Sequence, residues 1–165
     1  MARPKPLTAV VVLAAVLLVG AGFTGVRWHD AENDPGIATA KARDLALSRA
    51  EQAAIRLSSL DYRSPVPDST WKQVATGDLY TSLVAGKTDY ENLVTAGKVV
   101  STAKATGSAV QSLSDHDRSA VVLVGLDVTV TPESGQASVE HERLVLTMTR
   151  TADGWKASAM QPVAD

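Results

Sequence analysis

The side chains that could do chemistry are few. There are three histidines, three tyrosines and a scatter of carboxylates, and no cysteine anywhere in 165 residues. Without cysteine there is no thiolate nucleophile, no thiolate metal site and no disulfide framework, although this alone does not identify the compartment. His29 follows a long apolar run. His116 lies between Asp115 and Asp117, but sequence neighbours seldom converge on one ion, and the triplet reads as a solvated turn. His141 stands between Glu140 and Glu142. On a strand those neighbours point to the other face, so His141 reads as an exposed or cross-strand residue and not as a base. Asp127 interrupts a hydrophobic strand, where a buried carboxylate can serve as a proton-transfer base. It alternates away from the valines around it, however, which turns it toward solvent. Tyr62, Tyr80 and Tyr90 could donate to an oxyanion, but no spacing pairs them with Asp127. Packing is the expected role of these tyrosines and of Trp71 and Trp155. Gly-rich phosphate loops, a Gly-x-Ser-x-Gly elbow and a His-Glu-x-x-His pair are all missing from the sequence. No catalytic, cofactor-binding or metal-ligating residue is assigned, and a non-enzymatic protein without cofactors is expected.

The elements that would position these groups begin with a membrane segment. Leu7–Val26 is uncharged and rich in Val, Leu and Ala. As a helix its 20 residues reach about 30 Å, the thickness of a bilayer's hydrocarbon core. Arg3 and Lys5 precede it, and all 18 acidic residues follow it. The positive-inside rule then leaves residues 1–6 cytoplasmic and the rest extracytoplasmic in a single-pass cell-membrane protein, with Trp28 at the interface. Cleavage after Val19-Gly20-Ala21 as a signal peptide is the competing reading. The apolar run continues past that site through Phe23 and Val26, which favours the anchor. Beyond residue 26 the net charge is −4, and the only Phe lies inside the run. Nucleic acid is therefore not an expected partner.

Residues 27–36 form a polar linker, and 37–165 form one domain. Asp34-Pro35 suits an N-cap followed by proline in the first turn, and a helix is expected to about Leu60. Ala42, Ala46, Ala50, Ala53, Leu57 and Leu60 recur every three or four residues. This narrow small-residue face could pack on the domain's own sheet or, especially at Ala42 and Ala46, on another chain. Pro65 and Pro67 break the helix. A short helix through Trp71 and Val74 follows, then helical turns through Leu79, Leu83, Tyr90 and Val94, with breaks near Gly77, Gly86 and Gly97. After Gly97 the period becomes two. Strands are expected over Lys98–Leu113 (bulged near Gly107), through Val122–Val130 with Val122, Val124, Leu126, Val128 and Val130 inward, through Leu144–Met148, and from Trp155 to about Val163. Ala152-Asp153-Gly154 makes the last hairpin. Helices followed by an antiparallel meander give an α+β fold, with helices on one face of a curved sheet.

The order of these features resembles the Mce-associated membrane proteins of bacteria (Mce standing for mammalian cell entry). The likeness rests on the anchor, an Ala/Arg-rich helix ending in Leu60-Asp61-Tyr62-Arg63, then Ala75-Thr76-Gly77-Asp78-Leu79, a valine-rich strand and a closing Asp153-Gly154-Trp155 hairpin. The resemblance implies a nuclear-transport-factor-2-like domain behind the anchor. It also implies an accessory or scaffold role beside an Mce-type lipid or sterol import system, with Mce transporter proteins and related accessory proteins as partners. A lipid ligand for the domain is compatible with it, and no catalytic residues carry over. Scaffold components of type IV secretion or conjugation systems share the same plan. So do isomerase-like enzymes of that fold, for which a pocket holding Asp127 beside a tyrosine hydroxyl would be the sign.

Overall fold

The computed structural model describes residues 35–64, 68–114, 116 and 118–163. The expected cytoplasmic residues 1–6, the transmembrane helix 7–26, linker residues 27–34, including the Asp34 cap, and both aspartates flanking His116 fall outside these. Among the described residues no helix is long and apolar enough to cross a membrane. The chain divides between Lys41 and Ala42 into two units. Of the first, residues 35–41 are described, and they are the opening turns of α1.

Helix α1 runs Pro35–Ser58, so Pro35 and Gly36, read as linker, already belong to the helix. Proline suits this first position because its missing N–H would have had no helical partner there. From residue 42 onward the helix buries Ala42, Ala46, Ala50, Ala53 and Ala54, the last four at most 1% exposed. These alanines join the core of Val122, Val124, Leu126, Leu146, Met148 and Trp155. Of the two readings of Ala42 and Ala46, the structure favours packing on the domain's own core over a surface for another chain. Small side chains lose no rotamer entropy and let the helix approach closely.

The helix stops two residues earlier than its apolar period suggests, and a buried serine explains the stop. Ser101 Oγ donates to the Ser58 carbonyl at 2.9 Å and accepts from the Leu60 N–H at 3.1 Å. One hydroxyl thus satisfies a helix-end carbonyl and opens the next strand. Ser59 Oγ accepts from the Ala103 N–H at 3.0 Å. Leu60 consequently leaves the alanine stripe and enters β1, Leu60–Asp61.

Three short helices follow: α2 Asp68–Val74, α3 Gly77–Ala85 and α4 Lys87–Gly97. Trp71 and Val74 of α2 are buried, and Arg56 of α1 donates to Gln73 at 2.8 Å. Gly77, at φ +57°, permits the sharp entry to α3. Helix α4 runs through Gly97 and ends at Lys98, a left-handed residue at φ 48°. Strands β2 Val99–Leu113, β3 Ser119–Pro132, β4 Ser138–Thr151 and β5 Gly154–Pro162 complete a five-stranded antiparallel meander in the order β1-β2-β3-β4-β5. Register shifts lie between Ala105 and Gly107, between Val110 and Ser112, and between Thr147 and Met148. Such bulges bend the strand that carries them. In β3 the alternation puts Val122, Val124, Leu126 and Val128 in the core, while Val130, at the outer end of the same face, is only partly buried against it. Helices then meander: the fold is α+β.

Candidate functional site

The Asp61-Tyr62-Arg63 turn leaves the sheet at β1 and organises a polar corner. Arg63 grips Asp61 with two parallel bonds, Nε to Oδ1 and a terminal guanidinium nitrogen to Oδ2, both 2.9 Å. The Arg63 backbone N–H adds a third at 3.0 Å. An aspartate bonding the backbone two residues on is the local device that fixes such turns. The Arg63 guanidinium holds the Asp61 carboxyl below the usual carboxylate range, and Asp61 in turn raises Arg63. The guanidinium carbon also lies 5.7 Å from the centroid of the Tyr62 ring, within cation–π range. Tyr62 donates its hydroxyl to Glu133 at 3.3 Å, and Lys98 Nζ meets the other Glu133 oxygen at 2.7 Å. Lys98 therefore holds Glu133 below its ordinary range while its own ammonium is raised. The Glu133 N–H also bonds the Lys98 carbonyl at 2.9 Å, so backbone and side chain together hold Lys98 in its left-handed conformation.

Beside this corner opens a cleft of about 460 Å³. Leu60, Asp61 and Tyr62 line one wall, and Tyr90, Glu91 and Val94 of α4 line the other. Tyr90 packs edge-on against Trp71, with ring centroids 6.1 Å apart, and burial pushes its phenol up. The lining mixes apolar and aromatic side chains (Leu60, Tyr62, Tyr90, Val94) with hydrogen-bonding ones (Asp61, Glu91, Asn92, Thr95). Such a cleft can hold an amphipathic ligand or a partner's side chains. Two carboxylates line it and each is paired with a cation: Asp61 with Arg63, and Glu91 with Lys87 Nζ at 3.8 Å. A paired, readily ionised carboxylate is a poor proton-transfer base.

The structure does not bring the sequence candidates together. Asp127 lies on the sheet face opposite the core and is bonded to His141 Nδ1 at 2.7 Å across the β3–β4 pair. Both side chains are open, at 40% and 79% exposure, and neither lines the cleft. Tyr62 and Tyr90 line it; Tyr80 does not. His116 sits at the exposed β2–β3 connection. Among the described residues no group of three potential metal ligands forms. Glu133 and Lys98 carry no local motif that marks them as site residues. Their partnership depends on β2–β3 pairing, which sets Val99 opposite Pro132 and is not visible in local sequence.

An α+β domain whose sheet is filled on one face and whose clefts lie at its margins is the class that this fold and site define. The chain belongs to the family described as Rv1363c/MT1408-like uncharacterized proteins, whose model matches residues 7–163. One relative, the uncharacterized protein Rv1363c of Mycobacterium tuberculosis, is 26% identical over 159 residues, covering 94% of this chain. The chain spans 60% of that relative's length. Among solved structures, an IcmL-like type IV secretion system protein of Legionella pneumophila superposes with a TM-score of 0.58 at 16% identity, over 74% of this chain and 93% of that one. That likeness is one of fold.

Proposed function

We propose that this chain is a non-catalytic accessory or scaffold protein of the cell membrane, working beside an Mce-type lipid or sterol import system. The observation that carries the reading is the filled inner face of the sheet. Leu126, Leu146, Met148, Val122 and Val124 are at most 1% exposed beneath the alanine stripe. Side chains thus occupy the space that a reaction chamber would need, while the Asp127–His141 pair faces the other way. What such a domain offers is surface, and tethering to a bilayer raises the effective concentration of weak partners. The family match takes in the uncharged run from residue 7, which supports an anchor with the domain outside. The Mce assignment rests on the order of motifs from Asp61-Tyr62-Arg63 to Asp153-Gly154-Trp155. A second reading, a scaffold of a type IV secretion apparatus, is favoured by the IcmL-like fold neighbour.

Cross-linking in living cells, followed by purification of the tagged full chain from membranes, tests the choice. Mce subunits and their permease are the expected partners. Conjugation components in their place would establish the second reading, and recovery with neither would overturn both. On spheroplasts, external protease should remove the domain and spare residues 1–6.

A further inference from the structure

We propose that the end of the domain around the β4–β5 hairpin is an anion site, and that the group it takes is a phosphate. The pairing of Ser119 with Thr149 continues one step outward, where the Arg150 N–H donates to the Arg118 carbonyl at 2.9 Å. Arg118, the residue just before β3, therefore stands opposite Arg150 of β4, an arrangement in which like charges repel. Both are exposed, and neither guanidinium has an ion-pair or hydrogen-bond partner among the described residues. The contrast with Arg63, held by Asp61, and Lys98, held by Glu133, is direct. The two arginines line an open hollow of about 510 Å³ with His116 and Thr151. A second hollow of about 430 Å³, also lined by residues of this hairpin, brings Arg49, Lys72 and Lys156 together, with Asp153 as the one acid in its lining. Asp153 is already tied to Lys156 at 3.1 Å.

The sequence beyond residue 26 is net acidic at −4, so five cations against one acid among the described residues lining the two hollows run against the chain's overall charge. Two guanidinium forks side by side match the oxygens of a phosphate, each offering paired N–H donors in a fixed plane. A bound phosphate would also relieve the repulsion between them. Phosphate could reach the site as the headgroup of an anionic phospholipid or as a free ion. The chemistry is the same, and an assay with both distinguishes them.

The test uses the full chain in neutral detergent micelles, titrated with inorganic phosphate and, separately, with dihexanoyl-phosphatidylglycerol. Binding and the melting temperature are followed together. Wild-type protein should bind at least one of the two, and R118Q/R150Q should weaken that binding at least tenfold, with Lys104→Gln as the control that leaves it unchanged. The R118K/R150K variant should fall between, because it keeps the charge and loses the fork. Tighter binding of the lipid assigns the site to a headgroup, and binding of inorganic phosphate alone assigns it to the free ion. In phosphate-free buffer, Arg118→Gln by itself should raise the melting temperature and abolish the upward shift that phosphate gives the wild type. The proposal is overturned by no binding, by equal binding in R118Q/R150Q, by preference for a polyglutamate peptide over both phosphates, or by a fall in melting temperature in Arg118→Gln.

Discussion

The inner face of the sheet and the Asp-Tyr-Arg corner hold the domain by different means. On the inner face, Leu126, Leu146 and Met148 are sealed beneath alanines, and stability comes from apolar area removed from water, with no direction to it. At the corner, Arg63, Asp61, Lys98 and Glu133 are joined by directed bonds of 2.7–3.0 Å. All remain in contact with water, where ion pairs contribute little net free energy. The corner therefore sets geometry, the angle of a turn and the wall of a cleft, while the core sets whether the domain folds. Perturbing each region should separate these roles.

The largest effect is expected at Leu126. Truncation to alanine should cost about 2–4 kcal/mol in chemical denaturation, from lost transfer energy and the cavity left behind. Its neighbour in sequence, Asp127, points to the open face, so Asp127→Asn should cost far less. Equal losses would mean that the core does not lie on the face assigned to it. Next comes the alanine stripe. Ala46 is fully buried, so Ala46→Leu should cost about 1–3 kcal/mol by overpacking. Recovery of membrane partners by the folded fraction should be unchanged. Lost partners with unchanged stability would restore the stripe as an interface.

The corner should show itself in pH dependence. Asp61 and Glu133 both sit below their ordinary range because Arg63 and Lys98 stabilise the charged forms. A carboxyl whose folded value is depressed binds its proton more readily when unfolded. Its contribution is complete above the unfolded value, about 4, and is lost as pH falls through the folded value. Wild-type melting temperature should therefore drop below about pH 4 more steeply than that of D61N/E133Q. Identical acid limbs would show that the corner pairs do not persist in solution.

Much of the fold was legible because two periods dominate the chain. The alanines of α1 and the valines of β3 each mark one face, and Gly77 and Gly86 stand at the breaks between the short helices, while Pro65 and Pro67 lie outside the described residues. Leu60 misled because it continues the helical period, while the residue that ends the helix, Ser101, lies 41 positions away. Arg118 and Arg150 could be paired only through strand register. Register is readable across a turn when no bulge intervenes. The β3–β4 pairing runs without a shift from Ser119↔Thr149 to Val130↔Ser138, so folding the sequence at its Glu133–Gly135 turn sets Asp127 beside His141. The same operation fails between β2 and β3, where two bulges break the count.

That cross-strand pair supplies the smallest expected effect. Asp127 Oδ1 and His141 Nδ1 are 2.7 Å apart, a distance that invites a catalytic reading. Geometry without burial is weak, however: both groups exchange readily with water, and holding two mobile side chains together costs entropy that offsets their attraction. Opposite-charge partners across a strand pair contribute about 0.2–1 kcal/mol when well placed, and exposure of both ends puts this pair low in that range. A double-mutant cycle over Asp127→Asn and His141→Gln, read by denaturant unfolding at pH 6 in low and high salt, should give a coupling of no more than about 0.5 kcal/mol that shrinks as salt rises. A coupling above about 2 kcal/mol that ignores salt would mean that this face is covered in solution. The division between a sealed inner face and an open outer one would then fail where Asp127 and His141 bring titratable groups into contact on the outer face.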